Sequence, residues 1–272
     1  MTSNHLVGRV GELAELELAV REASDGRPTL VLLGGDSGVG KTRLVGELQQ
    51  RLSAGGDSAP LILRGDGVEQ ADGELPYAPL LSALRPLVRE RHAALERLSP
   101  GGRQQLATIL PGLDEVTRSS EARAPDQLRL FEAMLELIDY LTAGSPLVLI
   151  MEDMHWADRS TRAFTAFLAR TMRQERVCVI LTYRADELHR RHPLRPLLSE
   201  LERLERARRI LLEPFDRGEL REALTDILGA EPKHALLERL FARSEGNPLF
   251  TEELLAAGLD GRGAAPQSLR DA

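Results

Sequence analysis

The stretch Pro28-Thr-Leu-Val-Leu-Leu-Gly-Gly-Asp-Ser-Gly-Val-Gly-Lys-Thr-Arg43 decides the fold. Its apolar half, Leu30 to Leu33, reads as a buried strand and runs directly into Gly35, Asp36, Ser37, Gly38, Val39, Gly40, Lys41 and Thr42. That is G-x-x-x-x-G-K-[ST] in the context it requires, strand then glycine loop then helix. Gly35, Gly38 and Gly40 free the backbone to turn successive N–H groups toward phosphate oxygens. The helix that starts at Lys41 and continues through Arg43 adds its positive end, and Lys41 brings a full charge toward β and γ phosphates. Thr42 offers a hydroxyl for Mg²⁺. A stray lysine beside a glycine turn is the alternative, but Lys41 and Lys233 are the only lysines in the chain. The stretch therefore implies a bound nucleoside triphosphate, ATP or ADP, together with Mg²⁺.

Working outward, Gly26-Arg27-Pro28 ends a helix predicted over Glu12 to Ala23, with Leu13, Leu16 and Val20 at helical spacing. Downstream, Leu61-Ile-Leu63 reads as a second buried strand, which makes β-loop-α-β, the opening of a parallel sheet. Helices are expected from Pro76 to about Arg91 and from Arg103 to Leu110, and Leu113 to Ala124 reads as a polar loop. A longer helix starts at Pro125, with Leu128, Phe131, Leu135 and Ile138 as its apolar stripe.

The apolar run Pro146 to Met151 ends in Glu152-Asp153. A hydrophobic strand closing on an acidic pair presents carboxylates at the carboxyl edge of the sheet, beside the phosphate loop. One carboxylate then holds Mg²⁺ and the other orients or deprotonates water. His155-Trp156-Ala157-Asp158 follows, with Asp158 placed to cap the next helix. His155 and Trp156 either pack beneath that turn or act near the γ phosphate. The strand Val177 to Thr182 delivers Arg184 to the same edge, either as a reader of the γ phosphate or as a surface arginine at a strand end. Catalytic candidates are thus Lys41, Glu152, Asp153 and Arg184, and metal candidates are Thr42, Glu152 and Asp153.

Arg209 to Leu212 is a short last strand. After Glu213-Pro-Phe215 the pattern becomes helical only. Asp216 and Glu219 form a capping box, and Gly246-Asn-Pro248 breaks the chain before a last helix. The expected division is 1–213 for an α/β nucleotide-binding domain, 214–258 for a helical lid and 259–272 for a flexible tail or linker.

Composition limits the alternatives. A net charge of −7 argues against this polypeptide gripping nucleic acid by itself, and the arginine-dense patches Arg184 to Arg195 and Arg203 to Arg209 are interrupted by acids. No apolar run approaches the roughly 18 residues of a membrane span, and no secretory signal is visible, so a cytoplasmic protein with no membrane partner is expected. The single cysteine, Cys178, sits inside an apolar strand and reads as an inert thiol. His189 and His192 lie among arginines just before Pro193 and do not read as metal ligands.

Taken together, Val7-Gly-Arg9, Gly35 to Thr42, Leu147 to Asp158, Thr182-Tyr-Arg184 and Glu245-Gly-Asn-Pro-Leu-Phe250 resemble the ATPase module of the STAND class of AAA-like P-loop NTPases. The likeness is greatest to the amino-terminal module of large ATP-binding regulators of the LuxR family. It implies a three-layer α/β fold with a parallel sheet in the order 5-1-4-3-2 and a carboxy-terminal helical lid. It also implies that Val7, Gly8, Arg9 and Pro248 line the adenine pocket. Proteins of this kind act as switches that self-associate in the ATP state after an inducer acts. DNA is bound through a carboxy-terminal region that this chain lacks, so the chain resembles a truncated module or a short relative. In many related ATPases aspartate precedes glutamate in the acidic pair. The reversed order here implies slow hydrolysis. A motor ATPase and a non-hydrolysing nucleotide-binding module remain as alternatives.

Overall fold

The computed structural model describes residues 5–56, 59–67, 76–113 and 127–257. Its centre is a parallel sheet of five strands: β1 (Thr29–Gly35), β2 (Leu61–Asp66), β3 (Leu147–Glu152), β4 (Val177–Arg184) and β5 (Ala207–Leu212). The spatial order is β2-β3-β4-β1-β5, which is the expected order read from the opposite edge. The register sets Leu33 of β1 beside Thr182 of β4 and Gly35 beside Arg184, so the start of the phosphate loop and the end of β4 are neighbours. On the far side of β4, Met151 pairs with Leu181, which brings the acidic pair to the same edge.

The strands read as unbroken apolar runs because both faces of the sheet are covered. Leu30 and Leu32 of β1, Leu149 of β3 and Val179 of β4 face one core. Against it pack α3 (Ala78–Arg89), α6 (Gln127–Gly144), α7 (Arg159–Thr171) and α8 (Leu194–Leu201). The alternate residues Val31, Leu33, Ile150 and Cys178 face the other core, covered by α1 (Val10–Ser24) and α2 (Lys41–Ser53). Burial in that layer pushes the Cys178 thiol up to about 12, so the thiol stays protonated.

Two short elements join the α3 and α6 layer: α4 (Ala93–Glu96), which the sequence does not announce, and α5 (Pro100–Ala107). Ser99 caps α5 by accepting the Gly102 N–H, so this helix begins three residues before the expected Arg103. Capping chemistry holds α7 as expected. Asp158 accepts the N–H groups of Ser160 and Thr161, and also that of Tyr77 just ahead of α3.

The apolar stripe of α6 differs from expectation. Leu128 is 56% exposed and Leu135 only half-buried, while Leu130, Met134, Leu137 and Leu141 join Phe131 and Ile138 in the core. Both sets fit a period of 3.6 residues, and a helix this rich in leucine does not reveal which face turns inward. The expected polar loop over Leu113 to Ala124 falls, apart from Leu113, outside the described residues, as does the tail 259–272. No helix among the described residues is long and apolar enough to cross a membrane.

The edge strand β2 lies so close to α3 that side chains are excluded between them. A Cβ on Gly65 would overlap the Pro79 carbonyl oxygen and come within 2.7 Å of the Ala83 nitrogen. Backbone cannot yield as a flexible side-chain tip can, so Gly65→Ala is expected to cost about 2–3 kcal/mol of stability. A denaturant titration checks this through its midpoint; an unchanged midpoint would contradict so close an apposition.

Beyond β5 come α9 (Arg217–Leu228), α10 (His234–Ser244) and α11 (Pro248–Ala256). They pack on a small core of their own made by Leu220, Leu224, Leu237, Leu240 and Leu254. The Asp216–Glu219 capping box starts α9, and Asn247 caps α11 ahead of Pro248.

Candidate functional site

The carboxyl edge of the sheet, the phosphate loop and α9 to α11 enclose a cleft of about 670 Å³. That is within the usual range for small-molecule sites. Gly38 (φ +77°) and Gly40 (φ +104°) give the loop its turn. Gly38 is also required by close approach, because a Cβ there would lie 2.8 Å from both Asn247 Oδ1 and Leu249 Cβ of the helical region. Asn247 Nδ2 donates to the Ser37 carbonyl (2.8 Å), and the Leu249 N–H donates to the Gly38 carbonyl (3.3 Å). The phosphate loop and the start of α11 are thus joined directly.

Lys41 opens α2 and is 8% exposed. Its Nζ donates to the carbonyls of Gly35 and Asp36, both at 2.7 Å, which curls the side chain over the loop. Burial lowers its pKa from the usual lysine value, opposed by the charges of Asp186, Asp153 and Asp36. Beside it, the Thr42 hydroxyl donates to Glu152 Oε2 (2.8 Å), linking the loop to the end of β3. Glu152 is 2% exposed, and burial raises its pKa against the Thr42 hydrogen bond and the Arg64 charge. Its other oxygen, Oε1, lies 2.5 Å from Arg64 Nη2 without a well-aligned hydrogen bond.

Asp153 takes a left-handed backbone conformation (φ +52°), held by its N–H donating to Thr182 Oγ1 (3.1 Å). The turn carries residue 153 to the cleft wall while Glu152 stays behind Thr42. The two carboxylates therefore occupy different positions: Glu152 against the loop hydroxyl and Asp153 on the open side with Lys41 and Arg184. The Thr42 hydroxyl and the Glu152 carboxylate are hard oxygen donors of the kind that suit Mg²⁺. No cluster of three or more His, Cys, Asp or Glu suited to a metal occurs among the described residues. The donors therefore fit an ion that keeps waters and takes further oxygens from phosphate rather than a closed protein cage.

Arg184 reaches the cleft wall from the end of β4. Its guanidinium lies over the Trp156 ring (4.9 Å) and its Nη1 sits 2.5 Å from Glu187 Oε1. Behind it, the buried His155 stacks on Trp156 with ring centroids 4.5 Å apart, and its Nδ1 accepts the Arg184 N–H (3.4 Å). Burial lowers the His155 pKa despite Glu187 and Asp153 nearby. Both aromatic residues thus form a support beneath the arginine rather than part of the cleft wall.

The remaining sequence candidates divide. Val7, Arg9, Ser37, Val39, Arg43 and Pro248 line the cleft together with Gly38, Gly40, Lys41 and Thr42. Gly8, Gly35 and Asp36 do not. Gly8 faces the Glu219 side chain, Gly35 is the end of β1, and Asp36 turns its carbonyl to Lys41. Arg9 is tied down: it donates to the Glu213 carbonyl (2.5 Å), pairs with Glu12 (3.2 Å) and lies over Phe215 (5.1 Å). It fixes the amino-terminal segment to the stretch between β5 and α9.

Sequence reasoning missed the apolar wall made by Leu6, Phe215, Leu220, Ala223, Ile227 and Leu249. The spacing of Leu220, Ala223 and Ile227 marks one face of α9 and was available as a signal. Arg64 was missed as well, although a charge in the otherwise apolar β2 is itself a signal. In the second arginine-dense patch Arg208 pairs with Glu22 (2.5 Å), Arg209 pairs with Glu202 (3.3 Å), and Arg206 donates to the Met172 carbonyl.

A family model described as AAA ATPase domain matches residues 5–180. An uncharacterised protein of Rhizobium meliloti (strain 1021) is 26% identical over 272 residues, covering 92% of this chain and 24% of that protein. The chain thus spans about a quarter of the length of the curated relative it matches. Among solved structures, a Walker-type ATPase of Pyrococcus abyssi superposes with a TM-score of 0.56 at 18% identity, over 94% of this chain and 70% of that one. A signal transduction ATPase with numerous domains (STAND) carrying a tetratricopeptide repeat sensor, from Pyrococcus horikoshii, gives 0.51 at 16% identity, over 99% of this chain and 33% of that one. At these identities the structural likeness is one of fold.

Proposed function

Since the chain belongs to the AAA ATPase domain family, we propose that its cleft binds ATP and ADP with Mg²⁺ and hydrolyses ATP slowly, as the nucleotide switch of a larger regulator. The observation that carries this reading is the Thr42–Glu152 hydrogen bond, formed across 110 positions of sequence. It supports the reading because a hydroxyl and a carboxylate are donors that a magnesium ion takes, and because the cleft lined by Lys41 and Thr42 has an apolar wall suited to a purine.

Bound Mg²⁺ supplies positive charge to the phosphate oxygens. Everything else is done by the chain. The loop N–H groups and Lys41 hold the phosphates, and Thr42 with Glu152 holds the metal. Asp153, free of the loop hydroxyl, orients the attacking water and accepts its proton. Arg184 meets the γ phosphate. The base is an aspartate, one methylene shorter than glutamate, and its weaker reach toward a water makes the turnover slow.

The regulatory part rests on the STAND resemblance and on the STAND structure among the fold relatives. In this reading the ATP state exposes a surface for self-association and an inducer biases the exchange. Promoter DNA, if the regulator is of the LuxR type, is contacted by segments outside these 272 residues.

The test is to denature the purified protein, identify the released nucleotide by chromatography, and follow phosphate release from Mg·ATP. ADP and a turnover below about 1 s⁻¹ are expected. Turnover well above that value, accelerated further by nucleic acid or a protein substrate, would instead indicate a motor.

A further inference from the structure

The residues just after β4 bring one carboxylate to the phosphate loop and another to Arg184. Asp186 Oδ2 accepts the Ser37 N–H at 3.3 Å, so a side chain already uses one donor of the phosphate loop. Glu187 does the same to the arginine: its Oε1 is 2.5 Å from Arg184 Nη1, and its Oε2 is 3.3 Å from Nε2 of the buried His155. Glu187 is not itself on the cleft wall, whereas Arg184 is. The Arg184 side chain is therefore fixed from behind by Trp156, by His155 through its main chain, and by the Glu187 carboxylate.

We infer that Glu187 is a specificity-determining residue, which sets the preference of the cleft for a nucleoside diphosphate over a triphosphate by holding Arg184 in an ion pair. The inference rests on the nucleotide reading of the cleft. A diphosphate leaves the Arg184–Glu187 pair as it is. A triphosphate adds a third, strongly anionic group, and Arg184 meets it only by sharing or releasing Glu187, so part of the new attraction is spent on the old pair. The pair is partly exposed, with side chains 29% and 36% accessible, so its hold is moderate. A preference of about threefold to fivefold is the scale expected from such a competition.

The experiment uses the whole chain and fluorescent ADP and a non-hydrolysed fluorescent ATP analogue in magnesium buffer. Glu187→Gln keeps the size of the side chain and removes its charge. It is expected to raise the triphosphate-to-diphosphate affinity ratio about threefold to fivefold. Glu187→Asp, which keeps the charge, retains the ratio of the unmodified chain. The gain requires the guanidinium, so Arg184→Gln and the double variant Arg184→Gln/Glu187→Gln share one ratio. A merely structural role for Glu187 would weaken both nucleotides together and leave the ratio where it was. That outcome, or a gain that persists without Arg184, overturns the inference while leaving nucleotide binding intact. Failure of the unmodified chain to bind either nucleotide overturns the reading on which it rests.

Discussion

Lys41→Ala is expected to weaken ATP and ADP binding by at least about a hundredfold while leaving the fold in place. The ammonium group is buried and held by two carbonyls of the loop that it closes over. It sits where water is scarce, so its attraction to a phosphate oxygen is much less screened than at the surface. The other cations on the cleft wall are engaged, Arg184 by Glu187 and Trp156, Arg9 by Glu12 and the Glu213 carbonyl, and Arg43 by Glu252 and the His5 carbonyl, so they offer no substitute. Structurally the loss is small. Lys41 is the first residue of α2, alanine is a strong helix former there, and of the two carbonyls that lose the ammonium group that of Gly35 keeps the Ala185 N–H (3.1 Å) as a partner. Fluorescence titration measures the affinity and circular dichroism the fold. Tight binding retained in a folded variant would remove the phosphate loop from the account.

Asp153→Asn is expected to cut turnover by at least about a hundredfold and to change nucleotide affinity by less than about threefold. The position favours a clean result. Asp153 has positive φ, which asparagine tolerates as well as aspartate does, and its backbone N–H stays pinned to Thr182 Oγ1. Only the negative charge is removed. Glu152 remains with Thr42, so the metal side of the site is untouched. The comparison is therefore between a chain that holds nucleotide and one that also activates water. Phosphate release under saturating Mg·ATP reads the first quantity and direct titration the second. Equal turnover in the two proteins would show that Asp153 is not the group that handles the water.

Much of the arrangement can be read from the chain because its signals are local. The strand, glycine loop and helix around Lys41 follow one another within a few residues, and the acidic pair ends an apolar run long enough to be a buried strand. Chain order and right-handed parallel connections then bring them to one edge. What could not be read depends on phase and on distant contacts. The inward face of α6 is one of two that fit the same period. Gly8 belongs to a plausible motif but turns toward Glu219, a contact set by how α9 docks. The difference between Glu152 and Asp153 becomes visible only when the Thr42 hydroxyl picks one of them. The roles of His155 and Glu187 likewise follow from their convergence on Arg184, which no spacing rule reports.

The Arg64 contact makes the same point from the other edge of the sheet. Its pairing with Glu152 at 2.5 Å supplies a cation to a carboxylate that is almost wholly buried. Without a partner such a group would tend to neutralise itself. Thr42 and Arg64 together oppose the effect of burial, which still leaves the Glu152 pKa raised.

The most direct test of the central claim is calorimetric titration of the nucleotide-stripped chain with ADP and with ATP, each with and without Mg²⁺. The account predicts one saturable site per chain, competition between the two nucleotides, and triphosphate binding that tightens with magnesium. No saturable heat with either nucleotide at millimolar concentration, or binding indifferent to magnesium, would contradict it.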